Sequence, residues 1–139
     1  SHSGIDRQSS HYEVLFDDLT GIVDSLAQRS GSSGGSLLDE VTVVVFSEMG
    51  RSPQINVTGG KDHWTYTSAL LIGGGVAGGQ TVGGYDAQLL GQSVDLASGA
   101  VTDSGTGLTA AHLGATLLSM AGVDPAEHTD AAPLSAVIA

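Results

Sequence analysis

Near the start of the chain, apolar residues recur every three or four positions. Within residues 10–29 this spacing joins Leu15, Leu19, Ile22 and Leu26. Such a period predicts an amphipathic helix with one buried face. Ser9 or Ser10 is the expected N-cap, and Gly31 follows the last turn, as is common after a helix ends.

A different pattern follows at residues 41–46, where five of six residues are apolar and most are β-branched. A run without polar alternation is typical of a strand buried on both faces of a parallel sheet. A second short strand is predicted over residues 67–72. Because a helix leads into the first strand, the pattern favours an α/β fold with a parallel sheet flanked by helices.

A second helix is predicted from about Thr109. Leu113, Leu117 and Met120 share helical spacing, and Gly122 ends the pattern. No sustained period is present in the segment before this helix, so turns and short strands are expected there.

Glycine changes this picture, because it supplies 21 of the 139 residues, about double the average frequency of ~7%. Seven glycines lie in residues 73–84, which predicts a long irregular loop. The Ser/Gly segment 30–36 predicts a flexible connector. We therefore expect residues 1–139 to form part of one α/β domain with long glycine-rich loops.

Charge and composition exclude several classes of function. The chain has 15 acidic and 4 basic residues, giving a formal net charge of −11, which would repel nucleic acid phosphates. No apolar run reaches the roughly 18–20 residues of a membrane span. Cysteine is absent, so disulfides, thiolate metal ligands and cysteine nucleophiles are excluded.

Candidate chemistry is concentrated in the polar loop after the first strand, where active sites of α/β sheets are usually built. Glu48, Asp62 and His63 offer oxygen and imidazole ligands suited to a divalent metal such as zinc or manganese. Arg51 and Lys61, two of the four basic residues, lie in the same loop. This clustering suggests an anion held beside a metal, as in phosphoryl or sulfuryl transfer.

A purely structural interpretation explains the same residues. Glu48 could pair with Arg51, Asp62 could form an Asx turn, and His63 could pack on Trp64. The loop also lacks the spacing of a four-ligand zinc site. The residues alone leave both interpretations open.

Three segments resemble a known family in order and spacing: 43–53, 60–64, and 71–76 with Gly78 and Gly79. They are similar to the C-terminal part of the bacterial "domain of unknown function 1501" family, which belongs to the alkaline phosphatase and sulfatase-like superfamily. The resemblance spans nearly the whole chain. It implies part of an alkaline phosphatase-like parallel sheet and a metal-dependent phosphoric or sulfuric ester hydrolase in the periplasm or outside the cell.

The resemblance also implies roles for individual residues. Glu48 stands where the wider superfamily has an aspartate ligand, and His63 resembles the final ligand histidine. Asp62 would be a ligand or would orient one. His2 resembles the histidine of an Asp-Thr-His motif and would be a further ligand. The expected metal is zinc, with manganese or calcium as alternatives.

Arg51 and Lys61 would then bind a small phosphorylated or sulfated substrate. The family pattern places the nucleophile in an N-terminal half that these residues do not include, so we expect this chain to be a C-terminal fragment whose partner is that half. Met49 stands where the superfamily usually has a ligand histidine. This departure supports an alternative, a non-catalytic binding or envelope protein that keeps the hydrolase fold.

Overall fold

The structure is a computed structural model that describes residues 2–139. The chain divides into two compact units, residues 1–74 and residues 75–139. The first unit contains one long helix and four short strands, which are α1 (Gln8–Ala27), β1 (Thr42–Phe46), β2 (Gly50–Arg51), β3 (His63–Trp64) and β4 (Ala69–Gly73). The second unit contains helix α2 (Ala110–Met120). Three short 3-10 helices complete the described elements: Leu37–Asp39, Pro125–Glu127 and Ser135–Val137.

Helix α1 confirms the first predicted helix, displaced by two residues at each end. Its N-cap is Arg7 instead of Ser9 or Ser10, and the Ser10 hydroxyl donates back to the Arg7 carbonyl at 3.0 Å. Leu19 is the one buried residue of the helix, with 8% of its surface exposed. Other members of the apolar stripe remain exposed, among them Phe16, because α1 packs mainly against the short 3-10 helix Leu37–Asp39.

The sheet corrects the predicted fold class in one respect. Strands β1 and β4 confirm the two predicted strands, but they pair antiparallel, with Thr42 opposite Gly73 and Phe46 opposite Ala69. Parallel pairing needs a crossover connection, usually a helix, whereas residues 47–68 contain no helix and return the chain beside β1. The described sheets are therefore antiparallel, and β1 is half-buried instead of enclosed on both faces.

Strands β2 and β3 form a second antiparallel pair inside the segment predicted to be a loop. Gly50 lies opposite Trp64 and Arg51 lies opposite His63. A Cβ atom at Gly50 would overlap the Tyr66 carbonyl group, so only glycine permits this close approach of the two backbones. The pair holds the segment that carries the candidate site.

The Ser/Gly segment 30–36 is closed by hydrogen bonds. Gly31 N–H donates to Gly35 O at 2.8 Å, and the Glu40 carboxylate accepts from Ser32 Oγ, Ser33 N and Ser33 Oγ. The flexibility expected from its composition stays a prediction.

The second unit is organised around α2, which confirms the second predicted helix. Val94, Ala115 and Thr116 are its fully buried side chains. Thr116 Oγ1 donates to His112 O at 2.7 Å and accepts from Leu134 N at 2.9 Å. Among the described residues, no helix has both the length and the apolar character needed to cross a membrane.

Candidate functional site

The β2–β3 pair fixes the backbone of two predicted ligands, Asp62 and His63. Arg51 lies opposite His63 in the ladder. The next backbone hydrogen bond runs from Ser52 N to Asp62 O at 2.9 Å. Although the strands are only two residues long, their ladder therefore extends to the backbone of both candidate ligands.

His2 joins these residues from a distant part of the sequence. Its Nε2 atom lies 3.7 Å from Asp62 Oδ1, and the side chains are 59% and 62% exposed. The His2 ring also meets the His63 ring edge to face, with centroids 5.7 Å apart and planes at 90°. The structure thus brings together three of the four predicted metal ligands, and we call His2, Asp62 and His63 the His/Asp cluster.

Asn56 connects the parts of the His/Asp cluster, and the sequence analysis did not select it. Its Nδ2 atom donates to His2 O at 2.9 Å and to Asp62 Oδ1 at 2.8 Å. Its Oδ1 atom accepts from Thr58 N, Thr58 Oγ1 and Gly60 N. The glycines after Asn56 signal a turn in the sequence, but no local pattern reveals a bond to residue 2.

Glu48, the fourth predicted ligand, makes a local hydrogen bond. Its Oε2 atom accepts from the neighbouring Ser47 hydroxyl at 3.3 Å. Within residues 2–139, no hydrogen bond or ion pair joins Glu48 to the cluster or to Arg51. Its role as a ligand stays a prediction from the resemblance, and the alternative pairing with Arg51 is not found in the described chain.

The two predicted anion-binding residues have different environments. Arg51 Nη1 donates to the Lys61 carbonyl oxygen at 3.3 Å, so part of the guanidinium group holds the loop that precedes β3. The Lys61 ammonium group makes no hydrogen bond or ion pair with the described residues. Anion binding by the remaining guanidinium N–H groups of Arg51 and by the Lys61 ammonium stays a prediction.

The cluster fits a divalent metal in part. Two ligands of one tetrahedral zinc, each about 2.0–2.2 Å from the ion, are about 3.3–3.6 Å apart, and the His2 Nε2 to Asp62 Oδ1 distance is 3.7 Å. The separation of these two atoms is slightly longer than that spacing. Among residues 2–139, however, no group of three or more His, Cys, Asp or Glu side chains is arranged to hold a metal ion.

Comparisons with known proteins identify a family for this chain. No curated protein and no solved structure is significantly similar to it. The family described as "Protein of unknown function (DUF1501)" matches residues 2–132. The match covers far more than half of the sequence, and the chain therefore belongs to this family.

Proposed function

We propose that this chain contributes ligands to the metal site of a phosphoric or sulfuric ester hydrolase of the alkaline phosphatase-like superfamily. One observation carries the proposal: His2 Nε2 and Asp62 Oδ1 lie 3.7 Å apart, although the two residues come from opposite ends of the first unit's sequence. His63 adds a second imidazole beside them. The resemblance of the three motifs supports the superfamily.

The chemistry of the ligands favours zinc, with manganese or calcium as alternatives. Imidazole nitrogen and carboxylate oxygen together are common zinc ligands. The net charge of −11 also favours the approach of a cation. When bound, a divalent ion would polarise an ester oxygen as a Lewis acid.

The chain's own residues have two tasks in this proposal. His2 and Asp62 bind the ion, with His63 beside them, and Arg51 and Lys61 bind the phosphate or sulfate group through charge-assisted hydrogen bonds. The proposal assigns no nucleophile to these 139 residues and places it, as the resemblance implies, in an N-terminal half. The substrate is a small anionic ester, met in the periplasm or outside the cell.

Metal binding tests the proposal directly. We expect the whole chain to bind one Zn²⁺ per molecule, measured by isothermal titration calorimetry with ZnCl₂. Asp62→Asn removes the carboxylate charge but keeps the size of the side chain. It should weaken binding at least about tenfold, because loss of even an outer hydrogen-bond partner of a ligand typically costs about 10–100-fold. His2→Ala should have a similar effect.

The matched control is His128→Ala, because His128 is an exposed histidine of the second unit. This variant should bind Zn²⁺ like the wild type. Equal affinity in wild type, Asp62→Asn and His2→Ala would contradict a site at this pair.

A non-catalytic binding protein is the second candidate. Met49 in place of a ligand histidine favours it. If this candidate is right, the chain binds no stoichiometric metal and the three variants do not differ. The same titration therefore separates the two functions.

A further inference from the structure

Helix α1 has an apolar stripe that is largely exposed. Tyr12, Phe16 and Ile22 each expose half or more of their surface. They flank Leu19, which is buried where the 20-residue helix packs mainly against a 3-10 helix of three residues. Contiguous exposed apolar surface with polar residues at its rim is typical of sites that bind another molecule.

A shallow groove lies along one side of this stripe. Its lining residues are Asp17, Asp18, Gly21, Ile22, Ser25 and Leu26. Positions three and four residues away are the neighbours of Gly21 on the helix surface, so the groove lies where a side chain at position 21 would lie. A Cβ atom at Gly21 would meet no atom within 4 Å. Packing within the chain therefore does not require glycine here, although glycine is unfavourable inside a helix.

The rim of the groove is acidic. Helix α1 contains four acidic residues and no lysine or arginine; the four are Glu13, Asp17, Asp18 and Asp24. Within residues 2–139, the carboxylates of Asp17 and Asp18 form no hydrogen bond or ion pair. Both carboxylates can therefore accept hydrogen bonds from another molecule.

Charge disfavours several occupants of this surface. A second copy paired through α1 would bring the same four acidic residues against these, and each copy has a net charge of −11, so the two would repel each other. Anionic lipids and nucleic acids carry charge of the same sign. A neutral apolar partner would remove the carboxylates from water without offering a donor, which is unfavourable. The occupant that fits has both apolar and cationic side chains.

We propose that α1 is the docking surface for a basic amphipathic helix of a partner protein. The apolar side chains of the partner cover the exposed stripe. A lysine or arginine of the partner lays its aliphatic stem over Gly21, and its charged end binds Asp17 and Asp18. The proposal is independent of the metal site.

A synthetic peptide tests this surface on the whole chain. The probe contains only leucine and lysine, with leucine at helical spacing on one face and lysine on the other, and a fluorescein label reports binding by fluorescence anisotropy. We expect it to bind the wild type, whereas the same peptide with glutamate in place of lysine should not. A peptide with leucine and lysine in shuffled order should bind at least about fivefold more weakly, because its apolar side chains do not share one face.

Gly21→Gln fills the groove without removing any contact. Glutamine is a better helix former than glycine, so the variant should be at least as stable in urea as the wild type. Its affinity for the leucine/lysine peptide should nevertheless fall at least about fivefold. Gly114→Gln is the matched control, because Gly114 lies in α2 and also has no atom within 4 Å of its Cβ position. This control should bind the peptide like the wild type.

Two double variants separate the acidic rim from the overall charge. Asp17→Asn with Asp18→Asn removes both carboxylates from the groove, and the peptide should bind about fivefold more weakly. Asp103→Asn with Glu127→Gln removes the same charge from exposed positions of the second unit. Its affinity should remain within about twofold of the wild type.

Several results would overturn the proposal. They are no binding of the leucine/lysine peptide to the wild type, equal affinity in wild type and Gly21→Gln, and equal losses in the two double variants. Analytical ultracentrifugation should show the wild type as a monomer. A dimer that Gly21→Gln dissociates would assign the surface to a second copy and would also overturn the proposal.

Discussion

Carboxylates in this chain organise loops through local hydrogen bonds. Asp39 accepts from both the backbone N–H and the hydroxyl of Ser36, and Asp95 accepts in the same way from Ser98. Within residues 2–139 the one carboxylate beside a basic side chain is Asp62, whose Oδ1 atom lies 3.7 Å from His2 Nε2. Since only four basic residues accompany 15 acidic ones, serine hydroxyls and backbone amides supply most of the donors.

These hydrogen bonds stabilise the ionised form of the carboxyl group and so lower its pKa. The side-chain and backbone donors of Ser36 lower the pKa of Asp39, and those of Ser98 lower the pKa of Asp95. The strongest case is Glu40, where the Ser33 hydroxyl, the Ser32 and Ser33 backbones and the Ser32 hydroxyl lower the pKa from 4.5 to about 2. The Ser/Gly loop 30–36 is therefore tied to an ionised glutamate.

The Ser/Gly loop 30–36 should lose its hydrogen bonds to the Glu40 carboxylate only at an unusually low pH. Because the folded pKa of Glu40 is lower than its ordinary value of 4.5, the stabilising effect is complete above pH 4.5 and is lost as the pH falls through about 2. The Ser33 amide resonance, followed by NMR, should therefore titrate near pH 2. A midpoint near 4.5 would contradict this assignment.

Glu40→Gln should abolish the acid transition of the Ser33 amide, since glutamine does not ionise. Glu13→Gln is the matched control, because Glu13 lies in α1, away from this loop. The control should leave the transition near pH 2 unchanged.

At the scale of elements, the sequence predicts what is local. Both helices follow from apolar residues at helical spacing, and β1 follows from a run of β-branched residues that favours strands. The direction of pairing is not local, because it depends on how residues 47–68 fold, and two-residue strands such as β2 and β3 are too short to show a period. The parallel sheet was therefore the wrong prediction, although both of its strands exist.

In the candidate site too, the residues with a local sequence signal were predicted and those that depend on distant contacts were not. Asp62 and His63 are adjacent in sequence and lie in the polar segment after the first predicted strand, so their chemistry is visible in the sequence. His2 entered only through the family resemblance. Asn56 was missed because its role depends on a hydrogen bond across 54 positions, which no pattern in the neighbouring residues encodes.

A methyl group added at Gly50 should destabilise the β2–β3 pair. Gly50→Ala places a Cβ against the Tyr66 carbonyl, and relieving such an overlap typically costs about 1–3 kcal/mol. We expect a lower free energy of unfolding in urea and loss of the Ser52–Asp62 backbone hydrogen bond, seen as faster amide exchange at Ser52.

Gly21→Ala is the matched control within the same unit. A Cβ at Gly21 meets no atom within 4 Å, and alanine is favoured over glycine inside a helix by about 0.5–1 kcal/mol. This variant should therefore stabilise α1. If Gly50→Ala were as stable as Gly21→Ala, the close approach at Gly50 would be disproved.

At the scale of the whole molecule, few large side chains are fully buried. In the described residues the buried apolar side chains are Leu19 in the first unit, and Val94 and Ala115 in the second. Many apolar side chains are exposed instead, including Tyr12, Leu15, Phe16 and Ile22 of α1. Because apolar burial is the main stabilising term of folding, each unit depends strongly on its internal hydrogen bonds.

In the second unit, Thr116 is the clearest example of a side chain whose hydrogen bonds stabilise the structure. Thr116→Val keeps the shape of the side chain but leaves Leu134 N–H without the acceptor it has in the structure. An unsatisfied donor costs about 1–3 kcal/mol when it is buried, and Leu134 is half-buried. We expect the free energy of unfolding of residues 75–139 to fall by up to about this amount, measured by urea denaturation or amide exchange.

Thr116→Ser keeps the hydroxyl and both hydrogen bonds, and it loses only one methyl group. It should be less destabilising than Thr116→Val, and amide exchange at Leu134 should stay slow. The reverse order would show that the methyl group matters more than the hydroxyl at this position.

The saturated amide of Asn56 also affects how the protein can be produced. Residues 56–58 read Asn-Val-Thr, the acceptor sequence for N-linked glycans in eukaryotic secretory pathways. A glycan attached to Nδ2 would replace one of its two hydrogens, so the bond to His2 O or the bond to Asp62 Oδ1 would be lost. Material secreted from a yeast or mammalian host would then carry a sugar at the centre of the His/Asp cluster, whereas protein from bacterial cytoplasm would keep it intact.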